Sequence, residues 1–114
     1  MPMRLVEGTI SRDELCTLAA ECYGDLVKVV VDLARGVMVV GGDLHADAEA
    51  MLLEQGSLQK DLWGINIYPS KLHPEWIEYD SMINLRPSQG NRSRGVEDAA
   101  IRGRIVELIG RLTN

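Results

Sequence analysis

Phenylalanine is absent from this 114-residue chain, and two tryptophans and three tyrosines are its only aromatic residues. That excludes a core built on stacked rings and leaves the interior to aliphatic side chains, which the 46% hydrophobic fraction can supply. Cysteine is equally sparse: Cys16 and Cys22 stand six apart, on different faces of a helix, which excludes a local disulfide or a thiolate metal pair. Two buried, unreactive thiols are expected instead. No apolar run approaches the roughly 20 residues that a membrane span needs. Residues 1–7 lack a signal-peptide core, so a cytoplasmic protein without membrane association is expected. The length fits a single domain over 1–114.

Lysine is missing from the last third, and this makes the net charge of −5 a poor summary. Residues 1–80 carry six bases against fourteen acids, while residues 81–114 carry six arginines against three acids. The acidic total argues against general nucleic-acid binding, which depends on non-specific attraction to phosphate. The arginines have two readings. They can pair with the acidic body of the domain, or their planar forks can hold a carboxylate or phosphate.

Periodicity supplies the architecture. Ser11 and Glu14 form a capping box ahead of Leu15, Leu18 and Cys22, and Gly24 closes that helix. Apolar runs at 26–33 and 37–40, joined by Ala34-Arg35-Gly36, read as a hairpin. Val27, Val29, Val31 and Leu33 share its core face, with Lys28 and Asp32 opposite. Asp43 is expected to cap a helix over 44–55 whose stripe is Leu44, Ala48, Met51 and Leu52. A second strand pair is expected at 62–68 and 76–85, then a polar loop at 87–95. A last helix is marked by Ile101, Ile105, Leu108, Ile109 and Leu112, with Glu97 and Asp98 in its first turn. The order α-β-β-α-β-β-α predicts an α+β fold: a mainly antiparallel four-stranded sheet with helices packed on one face. The bare opposite face, with aromatic and β-branched side chains, would favour a homodimer.

Chemistry concentrates in two places. Residues 86–94, Arg-Pro-Ser-Gln-Gly-Asn-Arg-Ser-Arg, crowd guanidinium, amide and hydroxyl donors ahead of a helix, a composition able to wrap an anion. Gly90 and Gly95 stand apart with no Gly-Lys-Ser after them, so the loop matches neither a P-loop nor a dinucleotide fingerprint. The expected anion ligands are Arg86, Gln89, Asn91, Arg92 and Ser93, with Asn66 and Asn84 orienting the ligand from the strands. Second, His45 and Glu49 lie four apart and share a helix face, with Asp43 close by. Together with Arg86 or Arg92 they could serve a small hydrolase or a metal-dependent enzyme. Ser81, Ser88 and Ser93 lack a nucleophile-elbow context, and His73 belongs to a proline-rich exposed loop. Trp63, Tyr68, Trp76 and Tyr79 cluster and can stack across strands or on a nucleotide base.

The runs Gly41-Gly42-Asp43-Leu44-His45-Ala46-Asp47-Ala48-Glu49, Asp61-Leu62-Trp63-Gly64-Ile65-Asn66 and Ile83-Asn84-Leu85-Arg86-Pro87-Ser88-Gln89-Gly90-Asn91-Arg92-Ser93 resemble those of a family of small microbial proteins, a domain of unknown function. The resemblance spans about residues 29–112 and implies a bacterial or archaeal cytoplasmic protein. It brings no activity, cofactor or catalytic residue. Three functions are therefore carried forward: a module binding an anionic or phosphate-bearing small molecule through loop 86–94, the His45–Glu49 enzyme, and a homodimeric or partner-docking regulator. No metal site is assigned.

Overall fold

Valine-rich runs in the first half of the chain dictate the centre of the sheet. In the computed structural model, which describes residues 2–114, β2 (Val27–Asp32) and β3 (Val37–Gly41) form the expected antiparallel hairpin, with Val30 opposite Val39. The other edge of β2 pairs antiparallel with β4 (Leu62–Ile67), placing Val30 against Gly64 and Lys28 against Asn66. Two strands complete the order β1-β3-β2-β4-β5: β1 (Met3–Val6) on β3, and β5 (Ile77–Glu78) on β4. The fold is α+β with a five-stranded antiparallel sheet and three α-helices, rather than a sheet of four strands.

Three expectations need correction. β1 precedes the first helix, so the order begins with a strand. The expected strand over 76–85 stops at Glu78; Ser81 then caps a short 3-10 turn, Met82–Asn84, by accepting from the Ile83 N–H. Finally, the helices cover both faces of the sheet. α1 (Arg12–Cys22) and α3 (Ala99–Leu112) enclose the larger core with Val27, Val29, Val31, Trp63, Ile65 and Ile67. α2 (His45–Glu54) covers Val30, Val37, Val39 and Leu62 on the opposite side through Ala48 and Leu52. The period-two pattern in β2 therefore separates two buried faces rather than a buried face from a wet one. No face of the sheet is left bare to favour dimerisation: α1 and α3 cover one, where Trp63 and Trp76 are buried, and α2 covers the other.

The capping box of α1 forms as read: Ser11 Oγ accepts from the Glu14 N–H at 3.1 Å, and Glu14 reaches back to the Ser11 N–H. Leu15 and Ala19 carry its buried stripe, which turns Cys16 to the exterior and leaves Cys22 half-buried, against the expected burial of both thiols. α2 has Leu44 at its N-cap and no side-chain cap. Asp43 lies one residue too early and is exposed, as is Leu44. Asp98 caps α3, its Oδ1 accepting from the Ala100 N–H at 2.8 Å; this places Glu97 ahead of the helix rather than in its first turn. No helix among the described residues is long and apolar enough to cross a membrane.

Candidate functional site

The α2 side of the sheet is divided along its strands. One half presents Val30, Val37, Val39 and Leu62 to α2, while the other presents Lys28 and Asn66, with glycine between them at position 64. A Cβ at Gly64 would fall 2.5 Å from Ser81 Oγ and 3.1 Å from His45 Cδ2, so only glycine lets both side chains rest on the strand. They meet there at the uncapped first turn of α2. Beside them opens a cavity of about 320 Å³ lined by Lys28, Leu44, His45, Ala46, Ser81, Met82, Ile83 and Arg94.

His45 is 93% buried, and its Nε2 lies 2.7 Å from the Ile65 carbonyl oxygen, which can only accept; the proton therefore sits on Nε2. Burial lowers its pKa from 6.5 to about 4, with Lys28 and Arg94 pushing the same way and the Ile65 bond and Asp80 opposing. At neutral pH the ring is uncharged, and Nδ1 is a lone pair with no hydrogen-bond partner among the described residues. Lys28 is half-buried, 5.2 Å above the Tyr23 ring, and forms no ion pair among the described residues. Arg94 gives its Nε to Asp80 Oδ1 at 2.7 Å, which leaves both terminal nitrogens without an acceptor among the described residues. The cavity thus joins two cations, a hydroxyl and a neutral imidazole to apolar walls.

The residues expected to grip an anion separate into two groups. Asn84, Arg86 and Asn91 are buried, and most of their donors are directed to the main chain, although Arg86 Nε is buried without a partner. Asn84 forms a paired contact with Gly64, accepting from its N–H at 2.8 Å and donating to its carbonyl at 2.9 Å, and donates also to Arg94 O. Arg86 donates to the carbonyls of Gln59, Leu62 and Ile83 and lies 4.1 Å over the Trp63 ring. Burial pushes its guanidinium below the ordinary value, and the Glu49 carboxylate offsets part of that. Asn91 donates to Asn84, Ser93 and Gly95 carbonyls and accepts from the Glu97 N–H. These three side chains hold the loop against the free edge of β4. Asn66 donates to Glu78 at 2.8 Å, and its own oxygen is buried without a partner.

Gln89, Arg92 and Ser93 are exposed on the rim of the loop. Gln89 and Asn91 border a second cavity of about 370 Å³ with Lys60 and Trp63, but Glu97 and Asp98 also line it and disfavour an anion. Charge, rather than volume, therefore selects the first cavity. Arg94 is the member of segment 86–94 that reaches it, while Arg86 and Arg92 do not.

The residues expected for an enzyme are not brought together in this cavity. His45 lines the cavity, whereas its expected partners Asp43, Glu49, Arg86 and Arg92 are outside that lining; Asp43 is engaged through its carbonyl by the Tyr23 hydroxyl. Among the described residues no three His, Cys, Asp or Glu side chains are placed to hold a metal ion. Lys28, Ser81 and Arg94 escaped the list of expected ligands. Lys28 looked like the wet side of a strand, and only the pairing of β2 with β4 places it beside a residue from position 45.

No curated protein and no solved structure matches the chain. A family model matches residues 4–112, nearly all of it, and that family, DUF5674, is described as a protein of unknown function. The arrangement of Gly64, His45, Ser81 and Arg94 thus sits inside the matched region, and the chain belongs to the DUF5674 family.

Proposed function

We propose that the protein is a binding module for a small anionic molecule held in the cavity between α2 and the Met82–Asn84 turn. The observation that carries this reading is the convergence of Lys28 and Arg94, from distant parts of the chain, on a concave site beside the uncapped N-terminus of α2. Lys28, which has no ion pair among the described residues, and the terminal nitrogens of Arg94, whose Nε alone is held by Asp80, attract an anion more strongly in a concave cleft than on an open surface. The first-turn N–H groups of the helix add to that field. The Arg-rich loop supplies one ligand through the exposed Arg94, while its buried side chains, Arg86 and Asn91, hold the loop in place.

The test is a thermal-shift panel of phosphate, acetate and longer carboxylates with the intact chain and the variants Lys28→Ala and Arg94→Ala. A bound anion raises Tm in proportion to RT ln(1 + [L]/Kd). The shift should appear in the intact chain and shrink in both variants. A shift of undiminished size in both, or none with any anion, overturns the reading.

A further inference from the structure

We infer that the ligand of this cavity is a monocarboxylate of about ten non-hydrogen atoms in all, with an apolar body; the inference rests on the anion-binding reading above. Charge comes first. Lys28 and Arg94 bring two positive charges, but Asp80 already holds the Nε of Arg94 at 2.7 Å. About one positive charge is left uncompensated, which suits a single carboxylate better than a phosphate dianion.

Hydrogen-bonding capacity points the same way. The Arg94 terminal nitrogens, Lys28 Nζ and the Ser81 hydroxyl hydrogen all lack acceptors among the described residues, and a carboxylate has two oxygens to offer them. Neutral His45 presents a lone pair at Nδ1, which repels a further anionic oxygen. The remaining walls are Leu44, Ala46, Met82 and Ile83, and two of the three large side chains among them, Leu44 and Met82, are each 60% exposed. An apolar chain laid between them would remove both from water. With roughly 30 Å³ per water-sized group, the cavity of about 320 Å³ has room for a carboxylate of about this total size.

Isothermal titration of the intact chain with octanoate, acetate, 1-octanol and octyl phosphate distinguishes the outcomes. Octanoate should bind at least tenfold more tightly than each of the other three, and Lys28→Gln and Arg94→Gln should each weaken it about tenfold without changing the ligand-free Tm. Tighter binding of octyl phosphate, lost in the same two variants, overturns the carboxylate inference and leaves the anion reading standing. Equal binding of acetate and octanoate overturns the apolar body alone. If octanol binds as well as octanoate, or if no probe binds, both readings fall.

Discussion

At the scale of single residues, arginine in this protein serves mainly to satisfy main-chain carbonyls. Arg12 donates to Pro69 and Lys71, Arg86 to Gln59, Leu62 and Ile83, Arg102 to Val96 and Glu97, and Arg104 to Leu33. Of the six arginines beyond residue 80, Arg94 alone forms an ion pair among the described residues, so the acidic body is not their main partner. A five-donor fork suits loops whose carbonyls lack strand partners, and lysine could not replace it there. His45 is the residue that couples this framework to pH. Its folded pKa of about 4 lies below the ordinary 6.5, so between those values the unfolded chain binds the extra proton. Stability from neutral His45 is present above pH 6.5 and is lost as pH falls towards 4. The gap corresponds to about 3 kcal/mol. Urea unfolding of wild type at pH 5 to 7.5 should show this slope. His45→Gln, which retains a donor for Ile65, should flatten it; an equal slope in the variant would assign the acid loss to other groups.

At the scale of elements, the free edge of β4 explains most of what the sequence hides. β5 pairs only with Asn66 and Ile67, so Leu62 and Gly64 would face that edge without a strand. The Asn84 amide fills the place of a strand peptide at Gly64, and Arg86 covers the Leu62 carbonyl. Removing it in Asn84→Ala leaves two buried main-chain groups unpaired, at about 1–3 kcal/mol each. A fall of roughly 2–4 kcal/mol in unfolding free energy is expected from urea titration; a change under about 0.5 kcal/mol would show that water replaces the amide at little cost. The β2–β3 hairpin, the capped α1 and the stripe of α3 were legible because each is coded by neighbours in sequence. The strand over 76–85 was over-read because Ile77, Tyr79, Ile83 and Leu85 alternate, yet Ser81 and Asn84 direct the chain into a turn through contacts invisible to periodicity. β1 has no clear signal in the sequence: its four residues run from exposed to buried without alternation and acquire strand form only by pairing with β3. Of the residues lining the cavity, His45 stands out in the sequence; Lys28, Ser81 and Arg94 do not, since they come together only after the strands are in register.

At the scale of the whole molecule, the two sides of the sheet are unequal, and the candidate site belongs to the lighter one. Nineteen buried apolar residues form the core under α1 and α3, against six under α2. The three ion pairs among the described residues are all exposed at one partner or both, and pairs of that kind add little. Stability therefore resides mainly in the larger core, while α2 is held by Ala48, Leu52 and a few half-buried neighbours. This separation makes stability and binding experimentally distinct. Leu52 and Leu108 are both buried, one in each cluster. Truncating either to alanine should cost about 2–4 kcal/mol by lost transfer energy and cavity formation. Leu52→Ala also frees α2 to shift on the sheet, and with it the Leu44–Ala46 wall of the cavity. Its stabilisation by a carboxylate probe should therefore fall at least tenfold in apparent affinity, while Leu108→Ala, equally weakened, keeps wild-type affinity. Hydrogen exchange should place the difference in the amides of α2, which open without unfolding α3 in the Leu52 variant. Equal loss of binding in both variants would mean that the two layers open together, and that the sheet couples them more tightly than their unequal cores imply.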